Sequence, residues 1–570
     1  MTIKISSPAP AVLPSKQLGA VLLLYSPVLI AVLLMLPRLS QPDFGLFDDG
    51  RTLVISHDIN QGIWDMSWDS AAGRFRPVYW LYYAFLYRLS GMNALGFFIG
   101  NTLILAGTVA ALIALARLTG LSRLQAWLAG MFFLLSGPVV ENFYTLSKAE
   151  PLQLLMICLA LVLAAHAGRI KYHLGKSLLL AGCILSFLLA YLVKETTLVV
   201  IPVSAAWILL AWVRSLRNKK MTGTQPRFAV LASSILAGGV FFITRRLAVP
   251  VSLTGGSYSD QYLLTTERIL ASIIRWSGWL IRDFAYLAPL AMGLLLVWLI
   301  LRRNPSVKPG TQYGFLQAHL LPDALIWMAA WIAVYLPWVY MQEYYALPFA
   351  AGAALGAGLV FGWLVNALKM QYLSGRVLII AAIAGTCLLW LVTLPNNLSN
   401  ARIQVAVDDA NAHMLAQVAE YAPLGSTVLV NIQTSNEYVE QMALYYLPEV
   451  FGRTDLTTHA YQSQPLGVGS ELYRPNVILA VPHIENQPLM AVRMGLYEPT
   501  QDSWNGSLLG QLAAGWKMQN SIDNQVPLFL VDLPRVFCPF IRTRLFCAVP
   551  SPLLDQRQFS YGWDLYQIQP

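Results

Sequence analysis

Eleven apolar stretches of about 16 to 23 residues succeed one another through the first 394 residues of this 570-residue chain. Each is close to the roughly 20 residues a helix needs to cross the hydrocarbon core of a bilayer. They centre on residues 18–37, 95–116, 125–141, 152–167, 178–193, 197–213, 228–244, 284–301, 324–341, 346–368 and 377–394. Hydrophobic residues make up 56% of the chain and charged residues only 12%, against roughly 25% charged in a soluble domain. Lipid must therefore solvate much of the molecule.

An odd number of spans puts the two ends of the spanning module on opposite sides, and the basic residues say which side is which. With a cytoplasmic N-terminus, the inner segments hold seventeen Lys and Arg, from Lys4 and Lys16 through the Arg214–Arg227 group to Lys369 and Arg376. The same segments are free of Asp and Glu up to Asp323, at the edge of the ninth stretch. One missed helix would invert every later loop, so this separation supports both the count and the orientation. The net charge of +9 is then a topology signal dispersed over six segments, unlike the single basic face of a nucleic-acid binder. The expected location is a bacterial inner membrane, with the C-terminal part periplasmic.

Function is sought on the outward pieces: residues 38–94, residues 245–283, and everything after about residue 396. PVYWLYYAFLYRL at 77–89 has the aromatic content of a helix lying along the outer surface. After residue 395 the apolar runs shrink to strand length: STVLVNI at 426–432, NVILAV at 476–481 and PLFLVDL at 527–533. SNEYVEQMALYYL at 435–447 has helical spacing between the first two. The expected organisation is a membrane module over 1–395 and an extracytoplasmic α/β domain over 396–570. Cys538 and Cys547 could close a short disulfide loop in an oxidising compartment, whereas Cys158, Cys183 and Cys387 fall within spans.

The outer ends of the spans collect unlike charges. Asp48 and Asp49 form FDDG about ten residues past the first span, and Arg74 and Arg76 precede the aromatic helix. Glu141, Lys148 and Glu150 end the third span, Lys194 and Glu195 separate the fifth and sixth, Arg245 and Arg246 end the seventh, and Glu343, Tyr344 and Tyr345 follow the ninth. Taken singly, each has an ordinary reading: a surface turn, a lysine reaching for lipid phosphate, or an interfacial tyrosine. Together they suit transfer from a lipid phosphate, in which a base activates the acceptor and cations stabilise the departing phosphate.

FDDG, FRPVYW, LSKAEP, VKETT and QEYYALP, in this order over roughly residues 40–350, resemble motifs of the GT-C glycosyltransferases. The order is most similar to the protein O-mannosyltransferase branch and its TMTC-type relatives. The resemblance implies a polytopic α-helical protein of about eleven spans, transferring sugar with inversion from a dolichyl- or undecaprenyl-phosphate donor to a glycan, lipid or protein acceptor. It implies Asp48 or Asp49 as general base and Arg76, Lys148, Lys194, Arg245 and Arg246 as ligands of the donor phosphate. Glu150, Glu195, Glu343 and Tyr345 would shape the site. Lys148 stands where relatives more often have Arg, and the C-terminal region is not their tetratricopeptide array.

No P-loop, HExxH or paired CxxC is present, and the His residues are scattered. A divalent cation on Asp48 and Asp49 stays open. Two other readings remain. A polysaccharide polymerase or ligase would centre on a late Arg-rich loop such as 245–283, which carries Arg245, Arg246, Arg268, Arg275 and Arg282. A transporter or flippase would place its polar groups at mid-membrane in related halves.

Overall fold

The computed structural model describes residues 15–65, 69–70, 72–218, 224–249, 262–303, 320–339, 341–368, 376–430, 436–460, 477–483, 516–527 and 558–568. Cys538, Cys547 and the 528–533 part of the third expected strand lie outside the described residues.

Every expected apolar stretch is occupied by helix. The first is α1 (Ser15–Leu24) and α2 (Ser26–Ser40). The outer loop then forms α3 (Asp49–Asn60) and α4 (Pro77–Ser90). The later spans are α5 (Ala94–Leu118), α6 (Arg123–Leu134) with α7 (Gly137–Phe143), α8 (Glu150–Ala167), α9 (His173–Val193), α10 (Val200–Asn218) and α11 (Thr224–Ala248). After α12 (Thr266–Phe284), which falls in the expected outer piece 245–283, they continue through α13 (Leu287–Arg303), α14 (Leu320–Tyr335), α15 (Leu347–Leu368) and α16 (Arg376–Tyr421). Among the described residues, seven helices are long and apolar enough to span a membrane; α6 with α7 and α12 with α13 add two bent pairs, at 59° and 83°. α2 and α14 are shorter apolar helices.

Small residues set the closest helix contacts, as expected where apolar burial cannot distinguish protein from lipid. α15 carries Gly352 and Gly356, then Gly358 and Gly362, each pair four residues apart. A Cβ on Gly358 would meet the Gln125 carbonyl of α6 at 2.6 Å, and one on Gly352 would meet Trp327 of α14 at 2.5 Å. At the opposite end of the bundle from the Asp pair, Asp323 pairs with Arg227 at 2.5 Å.

The last span does not stop at the expected membrane edge. α16 runs 46 residues, and its C-terminal half packs on a five-stranded sheet. Strand order is β2-β1-β3-β5-β4, with β1 (Thr427–Val430) parallel to β2 (Thr457–Ala460) and to β3 (Val477–His483). β5 (Gln558–Ile568) is antiparallel to β3 and to β4 (Trp516–Pro527). Tyr561, Trp563 and Leu565, spaced by two along β5, are all buried. Tyr561 Oη and Trp563 Nε1 donate to Asn411 Oδ1 at 3.0 and 2.9 Å, which joins the sheet to α16. Between β1 and β2, α17 (Asn436–Gln441) passes into a π-helical turn, Met442–Val450, that packs on α3.

Candidate functional site

The FDDG segment is a helix start, not a surface turn. Asp49 begins α3, where the helix dipole favours a carboxylate. Asp48 precedes it with φ 66°, a left-handed conformation costly for a non-glycine residue. Ser147, at φ 57°, is the other such residue among those described. Ser147 contacts the start of α3 next to Asp48: its Oγ lies 2.7 Å from Asp49 Oδ1 and 2.8 Å from Thr52 Oγ1.

This geometry gives adjacent carboxylates different surroundings. Asp49 is only 4% exposed; it accepts from Ser147 and, through Oδ2, from the Gly45 N–H at 2.8 Å. Burial, reinforced by the charge of Asp408, pushes its carboxyl up to about 7 against the pull of Ser147, Gly45 and Lys148. Asp48 keeps 31% of its side chain exposed, with Arg51 Nη1 at 3.5 Å. Tyr79 and Tyr344 are close enough to feel its charge.

Tyr79 leads to the cations. The Arg76 guanidinium lies 4.7 Å from the Tyr79 ring and 5.6 Å from Trp80. Arg76 pairs with the buried Asp69 at 2.7 Å, and Trp80 Nε1 donates to the same carboxylate at 2.7 Å. Burial opposes the charge of Arg76, but Asp69 outweighs it and holds the guanidinium protonated. Lys194, at the tip between α9 and α10, pairs with buried Glu150 and stands 4.5 Å from the Tyr345 ring. Burial pulls its ammonium below the usual lysine range while Glu150 pushes back. Glu195 acts electrostatically on both Arg76 and Lys194.

Tyr344 lines a cleft. Its hydroxyl lies 3.0 Å from that of Tyr345, and Lys148 Nζ lies 4.5 Å from its ring and 5.2 Å from Phe47. Lys148, Tyr344, Asp49, Glu141, Gln342 and Asp408 line a cleft enclosing about 730 Å³ of empty space, open mouth included.

The remaining expected residues are placed differently. Arg245 donates to the Gly73 carbonyl at 2.7 Å, beside the loop that carries Arg76. Arg246 is exposed. Glu343 is tied to Arg282, which also holds Asp283. Among the described residues no three His, Cys, Asp or Glu side chains are grouped to hold a metal ion.

Several participants carried no sequence signal strong enough to single them out. Asp69 and Arg51 lie in the same loop as the motifs. Asp408, on the extension of α16, forms a buried ion pair with Arg38 of α2 and accepts from Gln404 at 2.9 Å. Gly45 sits between them: Tyr446 Oη donates to its carbonyl at 2.6 Å while its N–H holds Asp49. Arg51 reaches Glu440 at 2.8 Å and Tyr445 at 3.2 Å.

No protein-family model and no curated protein matches the sequence. Solved structures do. The apo oligosaccharyltransferase of Archaeoglobus fulgidus aligns with 97% of this chain and 89% of its own at TM-score 0.50 and 11% identity. ArnT from Cupriavidus metallidurans bound to undecaprenyl phosphate aligns with 83% of this chain and 94% of its own, at TM-score 0.42 and 14% identity. Arabinosyltransferase EmbB from Mycobacterium smegmatis aligns with 74% of this chain and 43% of its own, at 0.35 and 15%.

Proposed function

We propose, for a chain with the GT-C fold, that it is an integral-membrane glycosyltransferase transferring sugar from a polyprenyl-phosphate donor, with Asp48 as the base. The observation that carries this reading is the pair of environments at FDDG. A base must be reached by its substrate, and Asp48 is accessible, lightly paired and held in a strained backbone conformation. Asp49 has both oxygens engaged and is buried, so it positions the loop. Arg76 stands over Tyr79, Lys194 over Tyr345 and Lys148 over Tyr344. In the reaction, Asp48 takes the proton of an acceptor hydroxyl whose oxygen bonds to the anomeric carbon from the face opposite the phosphate. The anomeric carbon–oxygen bond breaks, and polyprenyl phosphate leaves with the electron pair, its charge met by the cations. The configuration inverts.

The acceptor is a glycan, lipid or protein on the non-cytoplasmic face, the face that the basic segments at the other end of the bundle assign to this site. Two findings favour this reading over its rivals. Arg268, Arg275 and Arg282 turn inward from one helix face onto the carbonyls of Val339 and Met341 and onto Asp283 and Glu343, unlike the open Arg-rich loop on which a polymerase would centre. The ionisable cluster sits at helix ends and loops, unlike the mid-membrane site of a transporter.

The test is transfer from radiolabelled polyprenyl-phosphate sugars by purified protein in bilayers. Asp48→Asn should lower transfer by about 10² to 10⁴-fold, the span of a general base, while Asp49→Asn keeps measurable activity. Wild-type transfer rates in Asp48→Asn would overturn the assignment.

A further inference from the structure

Helix α12 is polarised the wrong way round for a helix facing water. Arg268, Arg275 and Arg282 recur every seven residues, about 20° short of two full turns, so they share one face. That face also holds the buried Ser272, Trp276, Trp279 and Asp283, and it points into the protein. The other face carries Leu270, Ile273 and Ile274, exposed by 56%, 45% and 46%. Charges face in and branched aliphatics face out, an arrangement that water penalises and hydrocarbon rewards. α12 turns 83° from the apolar helix α13, so when α13 crosses a bilayer α12 runs close to its plane.

All three arginines reach one short piece of chain. Arg268 donates to the carbonyls of Trp338 and Val339, the latter at 2.6 Å. Arg275 Nη1 donates to the Met341 carbonyl at 2.9 Å, and Arg282 pairs with Glu343. Just before α12, the Leu263 N–H donates to the Pro337 carbonyl at 2.8 Å. The segment so held leads into the 3₁₀ turn Glu343–Ala346, whose Tyr344 and Tyr345 stand under Lys148 and Lys194. The carbonyls of this irregular segment accept charge-assisted donors, and their position becomes that of α12.

We propose that α12 is a lipid-seated clamp: its Leu270, Ile273 and Ile274 face rests in bilayer hydrocarbon, and its arginine face holds the turn that presents Tyr344 and Tyr345 to the cationic site. The clamp's effect on transfer rests on the glycosyltransferase reading; its seat in lipid and its hold on the turn do not.

The experiment uses the full chain with its native cysteines replaced, in phosphatidylethanolamine–phosphatidylglycerol bilayers. A spin label at Ile273→Cys should collide readily with oxygen and poorly with a water-soluble nickel chelate; the reverse preference overturns the lipid seat. A label at Gln342→Cys should give a broad, immobilised line that sharpens in Arg275→Met and recovers in Arg275→Lys. A line unchanged by Arg275→Met overturns the clamp, provided the Ile273 label shows α12 still in lipid. Transfer should fall by about tenfold or more in Arg275→Met, chiefly in kcat, and return in Arg275→Lys. If Arg275→Met sharpens the Gln342 line while protein with Arg275 intact transfers no sugar, the clamp stands and the glycosyltransferase reading falls.

Discussion

Asp49→Asn should reduce the pH dependence of the protein's stability near neutrality. The Asp49 carboxyl is pushed from an ordinary 3.8 up to about 7 by burial, with the nearby charge of Asp408 adding to it. A folded-state pKa above the unfolded value means that the native state holds the proton more tightly. The stability this provides is complete below pH 3.8 and is lost as pH rises through 7. About three pH units at 1.36 kcal/mol each puts the loss at about 4 kcal/mol, most of it already incurred at pH 7 and the remainder by about pH 8. Asn cannot ionise, so the variant escapes the loss. Its amide oxygen still accepts one of the two bonds, and the second, from Ser147 or Gly45, is given up at about 1 to 3 kcal/mol. Apparent melting temperatures of protein in nanodiscs, followed by tryptophan fluorescence from pH 5.5 to 8.5, test this. The wild type should melt progressively lower as pH rises, and Asp49→Asn should give a shallower profile that crosses it. Equal slopes in the two proteins would refute the assignment of the raised pKa to Asp49.

Gly50 offers a steric test of the contact between the first loop and the C-terminal region. A Cβ there would meet Tyr446 at 2.8 Å and Tyr445 at 3.0 Å, so Gly50→Ala should cost about 1 to 3 kcal/mol and make the Met442–Val450 turn more susceptible to limited proteolysis. The buried Arg38–Asp408 pair should respond asymmetrically. Arg38→Met or Asp408→Leu alone should destabilise by about 3 to 5 kcal/mol because each strands a charge, whereas the double variant should recover most of that in a thermal melt cycle.

The helices were legible because a bilayer imposes a length on every apolar run, and the stretches at 95–116 and 178–193 are matched by α5 and α9 nearly end to end. The same logic failed where lipid stops acting. Nothing in the 377–394 run shows that α16 continues to Tyr421, since its extension is specified by packing on the sheet and by Asn411, not by hydropathy. The strands at 427–430 and 477–483 were visible as short apolar runs, but their parallel pairing on either side of β1 was not. The PVYWLYYAFLYRL segment does form a helix, whose Tyr79, Trp80 and Tyr83 are buried in protein.

For the site, the sequence by itself determined the ingredients: two adjacent carboxylates on the first long loop, lysines and arginines at the ends of separate helices, and the basic segments from which an orientation is expected. Residue type and charge separation suffice for that, because desolvation makes stray charges in such a chain expensive. Only the tertiary structure decided that Asp48 and Asp49 are unlike. Exposure, the left-handed turn at Asp48 and the partners Ser147, Gly45 and Asp408 come from segments up to about 360 residues away, and a local motif carries no record of them. Likewise Arg282, seven residues beyond Arg275, reads as one more basic loop residue until α12 folds and turns all three arginines onto one turn of chain.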